Sequence, residues 1–205
     1  MENQRNEMVA SNHELRALAR EQLKGNWGIS IAVGLIYIGI FTVLSYIPQV
    51  GYIVQLLISG AFTLGIYLFF IQFPRGGVPQ ISQLFEGFQN FGKSLGLYLL
   101  ISLFTFLWTL LLVIPGIIAS FRYSQAFYIL NDNPNMKVMD AIRQSSELMD
   151  GYKWRYFLLQ LSFIGWALLS IVTFGIGFIF LLPYVLTANA NFYDQLSKSH
   201  AGPKM

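Results

Sequence analysis

Arg122 is one of thirteen basic residues, and it alone falls inside an apolar run. A guanidinium at the centre of a membrane helix costs about 2.5–3.5 kcal/mol. It therefore faces a protein interior or water and takes partners. The acidic residues Glu86, Asp132, Asp140, Glu147, Asp150 and Asp194 all fall in polar segments or near the inner ends of helices. That leaves carbonyls, Gln or Tyr side chains, a lipid phosphate or a substrate anion to bind it. Alternatively, its helix is short and the guanidinium snorkels to the outer surface. Gln125 lies three residues on, close to the same helical face. Gln160 and Ser162 form a second polar group, and Thr187, Asn189 and Asn191 a third. Arg122, Gln125, Gln160, Asn189 and Asn191 are thus the candidate lining of an anion, lipid or polar-solute cavity. Amides in spans also tie helices together, at about 0.6 kcal/mol per bond. Asn131-Asp132-Asn133-Pro134 reads as a turn and helix cap more simply than as a cation site.

No catalytic set stands out. There is no nucleotide loop, paired carboxylate or metal spacing. With no cysteine, thiolate chemistry and disulfides are excluded. His13 and His200 sit in the polar ends, far from other ligands. No cofactor, metal or enzymatic activity is expected. Basic residues at membrane edges argue against nucleic-acid binding.

These residues must be positioned by membrane helices. The chain is 205 residues, 55% hydrophobic and 11% charged, with mean hydropathy +0.53. Soluble domains carry roughly 25% charged residues. The apolar runs are 28–47, 51–73, 94–114, 116–130, 155–173 and 176–196. Most approach the 20 or so residues needed to cross about 30 Å of hydrocarbon. The short run, 116–130, decides the count. Reading 94–130 as one span would put Lys137, Arg143, Lys153 and Arg155 outside. The positive-inside rule opposes that. Six spans leave every basic segment cytoplasmic and three uncharged outer hairpins, at Pro48-Gln49, Pro115-Gly116 and Gly175. The expected fold is all-α, a single membrane domain over 1–205, with both termini cytoplasmic. A polar stretch carrying Glu2, Glu7, Glu14 and Glu21 precedes the first run, so an uncleaved anchor is expected rather than a signal peptide.

Each hairpin follows an amphipathic stretch, at 11–24, 79–90 and 134–149. Ser11 to Glu14 is a capping-box pattern, with Leu15, Leu18, Ala19 and Leu23 after it. Ile81, Leu84, Phe85 and Phe88 form a helical stripe. Asn133 with Pro134 predicts a third cap, followed by Val138, Ala141, Ile142, Ser145 and Met149. Such helices would lie in the cytoplasmic headgroup layer. Pro183 falls inside the last span and predicts a kink.

Ala19-Arg20, Leu23 and Gly25-Asn26-Trp27 resemble the start of a bacterial integral-membrane family known only as domain of unknown function 975. Ile114 to Ile117, Tyr123-Ser124, Asp132 to Pro134, Gly151 to Lys153, Ser162 to Trp166 and Pro183-Tyr184 extend the resemblance along the chain. The stretch from Pro115 to Lys153 is distantly similar to the membrane domain of glycerophosphodiester phosphodiesterases, without their catalytic domain. The resemblance implies a multi-pass bacterial plasma-membrane protein and no catalytic residue. The expected function is an accessory envelope protein, in stress or peptide resistance, with membrane lipids and anionic headgroups, a protein partner or a second copy as partners. The alternative is a small transporter or channel for an anionic or polar solute using Arg122. For an intramembrane lipid enzyme, Asp132 would be the first carboxylate to test.

Overall fold

The computed structural model describes residues 9–48 and 50–201. Glu2, Glu7 and Gln49 therefore lie outside the described residues. Among those described, the secondary structure is all helix, with no strand. Five helical stretches are long and apolar enough to cross a membrane: Trp27–Ser45, Val50–Arg75, Gln83–Leu111, Lys153–Val172 and Ile176–His200.

In chain order, α1 is Asn12–Leu23, α2 Trp27–Ser45, α3 Val50–Arg75 and α4 Gln83–Glu86. A 3-10 turn at Gly87–Asn90 leads into α5, Phe91–Leu111. Next come α6 Val113–Tyr123, α7 Ala126–Asp132, α8 Val138–Leu148, α9 Lys153–Leu161, α10 Ile164–Val172 and α11 Ile176–Ala201. The centre of the molecule is α3 against α11, each with 44% of its apolar window buried, against 11% for α2. A helix so little buried faces lipid, which is as apolar as its own side chains and exerts no pressure to cover them.

The run 116–130 is not one helix. It lies across α6 and α7, separated at Ser124-Gln125. The Ser145 hydroxyl splices the break. It accepts from the Gln125 N–H at 3.2 Å and donates to the Arg122 carbonyl at 2.7 Å. Pro115-Gly116 is not the hairpin break either. The chain turns at Leu112, which is extended (φ −162°), and Pro115 stands in the first turn of α6. There its missing N–H costs nothing, because the first four N–H groups of a helix have no internal acceptor.

Three hairpins share one close contact. A Cβ on Gly51 would meet the Leu44 carbonyl oxygen at 2.0 Å, one on Gly116 the Thr109 Oγ1 at 2.1 Å, and one on Gly177 the Ser170 Oγ at 2.5 Å. In each case the glycine packs on the residue seven positions earlier. The first and third units also match outside the hairpin. Leu15, Ala19 and Leu23 are buried on α1, and Ala141, Ser145 and Met149 on or just after α8, each pair 126 positions apart. The left-handed glycines Gly25 (φ 82°) and Gly151 (φ 79°) keep the same offset.

The first and third leading segments bury Leu15, Ala19, Leu23 and Ala141, Ile142, Leu148, while the middle one leaves Ile81, Phe85 and Phe88 exposed. Each sits on the preceding hairpin, and α1 closes the circuit by packing on α11 of the last. The α1 cap is formed as the sequence predicts, Ser11 Oγ accepting from the Glu14 N–H and Glu14 from the Ser11 N–H. The middle segment departs from its predicted stripe. It is a four-residue helix and a 3-10 turn, and only Leu84 of the four stripe residues is buried. Gly87 and Leu84 press backbone to backbone on Ala61 and Gly65, while Phe85 and Phe88 set ring edges on Phe62. In the third, the helix starts after Lys137, so Asn133-Pro134 is not its cap. Asn133 instead follows α7, donating back to the Ile129 carbonyl at 3.4 Å.

Candidate functional site

Arg122 is partly buried and finds a side-chain partner. It lies in the last turn of α6 and its Nε donates to Ser146 Oγ on α8 at 2.9 Å. The side chain thus turns to the polar 131–155 segment. There it is close enough to help hold the Asp150 carboxyl below the usual range, after the larger effect of the Lys153 ammonium at 2.8 Å. The sequence places the arginine in a lipid run. Packing of α8 over α6 brings a hydroxyl and an acid to it. Both lie more than twenty residues away in the chain, so spacing alone gives no sign of them.

The other candidate residues also serve as ties. Gln125 is buried, and its Nε2 donates to Ser124 Oγ at 2.7 Å while its Oε1 has no hydrogen-bond partner. Gln160 Nε2 donates to Asn189 Oδ1 at 2.7 Å, joining α9 to α11. Asn191 forms a reciprocal amide pair with Gln22, at 2.6 and 3.1 Å, fastening α1 to α11. Asn191 also donates to the Thr187 carbonyl. The five candidates therefore fall at three separate junctions rather than around one cavity.

One cluster was not foreseen. Arg75 Nη1 and Nη2 bind Asp132 bidentately at 2.6 and 2.7 Å, and its Nε reaches Asp194 at 3.4 Å. Tyr193 donates to Asp132 at 2.8 Å and Lys198 to Asp194 at 2.6 Å. The Tyr193 ring stacks on Tyr128 with centroids 4.7 Å apart. Asp194 is 4% exposed, so its charge is tolerated only because two cations face it. This cluster locks the ends of α3, α7 and α11 together. It gives Asp132 an arginine and a tyrosine as partners, which the sequence did not indicate.

Cavities also lie among the described residues. A cleft of about 410 Å³ is lined by the hydroxyl-bearing Tyr67, Ser102, Thr105, Ser120, Tyr123 and Ser124, with Ile101 and Phe127. The buried Thr105 Oγ1 has no hydrogen-bond partner. A chamber of about 270 Å³ lies behind Tyr67, among α2, α3 and α11, with an unpartnered Ser30 hydroxyl. A groove of about 350 Å³ runs between α10 and α11, with Trp27 and Arg20 at one end. Among the described residues, no group of three His, Asp or Glu side chains is placed to hold a metal ion.

No curated protein and no solved structure matches the chain. The distant likeness to the glycerophosphodiester phosphodiesterase membrane domain is not shown by the comparisons. A family described as protein of unknown function (DUF975) matches residues 8–117 and 109–200. Those segments span almost the whole chain, and the protein belongs to that family.

Proposed function

We propose that this is a non-enzymatic integral membrane protein of the bacterial plasma membrane that works through lipids or a protein partner. In this reading it crosses the bilayer six times as three hairpins, with both termini cytoplasmic. The hairpin glycine repeated at Gly51, Gly116 and Gly177 supports six arms, because the α5–α6 turn is built like the two turns that join full-length helices. The lysines and arginines of the connecting segments then all face the anionic inner leaflet.

One observation carries the functional reading. The long polar side chains singled out in the sequence join helices, as in Arg122–Ser146, Gln160–Asn189 and Asn191–Gln22. Large apolar side chains meanwhile cover the outside of α2, α5 and α10. An accessory envelope role, in stress or peptide resistance, fits a protein whose contacts are mostly with its surroundings. Native mass spectrometry of the purified protein tests this. Retained phospholipid or a copurified subunit, unchanged by Arg122→Ala, is the expected result. A bare monomer that binds no more lipid than a scrambled-span control refutes it.

The hydroxyl-lined cleft favours one other reading, a carrier of a small polar solute. Solute flux in proteoliposomes that Ser124→Val abolishes, without loss of folding, would select it.

A further inference from the structure

Arg122 and Arg20 occupy corresponding junctions with different outcomes. Where α8 covers the second hairpin, Arg122 finds the Ser146 hydroxyl. Where α1 covers the third, the position 126 residues before Ser146 is Arg20. Arg20 is exposed and makes no hydrogen bond or ion pair among the described residues. Instead of an acceptor, a groove opens beside it.

The groove is lined by Trp166, Leu169, Leu181 and Phe180 along its length, with Trp27 and Tyr184 near the arginine. Its walls run from Trp166 to Thr173 on one side and from Gly177 to Tyr184 on the other. Seven residues of helix are roughly 10 Å, the length of half an acyl chain. No acidic side chain lines it. Arg16 and Arg20 both lie within electrostatic reach of the Tyr184 hydroxyl. The two stand one turn apart along one side of α1, and Lys24 follows just past its end. Around the helix, Glu21 is set off from Arg20 by about 100° and Glu14 from Arg16 by about 200°. The site therefore offers an apolar slot, an aromatic collar and unneutralised cations in that order. These are the parts of a glycerophospholipid with an anionic headgroup.

We infer that the α1–α10–α11 groove holds one acyl chain of an anionic phospholipid whose phosphate sits at Arg20 and Arg16. This rests on the membrane reading above and sharpens its lipid arm. The test is native mass spectrometry of full-length protein released from nanodiscs of equal phosphatidylglycerol and phosphatidylcholine. Wild type is expected to retain phosphatidylglycerol in preference. Arg20→Gln should lower that preference about fivefold, the effect of about one surface cation on an anionic lipid. Leu169→Trp, which fills the slot from its lipid-facing wall, should lower retention of both lipids. Arg143→Gln removes an exposed cation elsewhere and should change nothing. Equal retention of the two lipids by wild type, or equal loss of preference in Arg143→Gln and Arg20→Gln, overturns the groove while leaving a lipid-associated protein standing. Retention of neither lipid nor any subunit overturns both.

Discussion

Removing Arg75 should loosen three helices at once. Its guanidinium holds Asp132 by two short bonds and touches Asp194. Truncating one partner of a buried ion pair costs about 3–5 kcal/mol, because a charge is left uncompensated. Two facts lower that figure. The Arg75 side chain is 36% exposed, so water screens part of the loss. Tyr193 still donates to Asp132 and Lys198 still faces Asp194. About 2 kcal/mol is expected for Arg75→Ala. At about 2–4 °C per kcal/mol for a chain this size, the melting temperature in detergent should fall by about 4–8 °C. A cycle with Asp132→Asn should show coupling of at least about 1 kcal/mol, since the two share a bidentate contact. A melting temperature within a degree of wild type, or strict additivity in the cycle, would refute the account.

The three hairpin glycines give a sharper contrast. Alanine at Gly51, Gly116 or Gly177 drives a Cβ into the facing helix and should cost about 1–3 kcal/mol. Alanine at Gly34 or Gly39, where a Cβ meets nothing within 4 Å, should be neutral or stabilising in denaturant titrations. The α1 cap carries a pH signature. Glu14 is held below the usual carboxylate range by the Ser11 hydroxyl and N–H, so its contribution is present above the unfolded value and fades as pH falls through the lower folded one. Amide protection of residues 12–23, taken relative to the intrinsic exchange rate at each pH, should fall on acidification in wild type and lose that dependence in Glu14→Gln. The chain has no cysteine, so single cysteines report topology directly. Position 174, at the tip of the last hairpin, should label with an impermeant maleimide in intact cells, and position 137 only after permeabilisation. Labelling of both before permeabilisation would refute six crossings.

The spans were legible because lipid imposes a length on apolar runs, and five of the predicted runs correspond to helices of that kind. The fate of Arg122 was not. Sequence distance to Ser146 says nothing of how α8 lies over α6, and depth in a membrane is set by such packing. Pro115 misled for a physical reason, since proline breaks a helix interior but not its first turn. The Arg75 cluster was hidden because its members lie 57 and 119 residues apart. An arginine ending an apolar helix looks like an ordinary interfacial flank. Among the site candidates, Gln160 and Asn189 meet each other. Their mutual bond follows from the way α9 and α11 face each other, which no periodicity encodes.

The Arg75 contacts also set an order in time. Asp194 follows Arg75 by 119 residues, so at about 5–20 residues per second the arginine waits roughly 6 to 24 s for its last acid during synthesis. The apolar face of α1 waits longer still for α11 to cover it. Through that interval Leu15, Ala19 and Leu23 lack the cover that α11 provides. Among the described helices α1 is thus the first made and among the last to be seated. A chain cut before its final hairpin would expose that face to whatever apolar surface comes first.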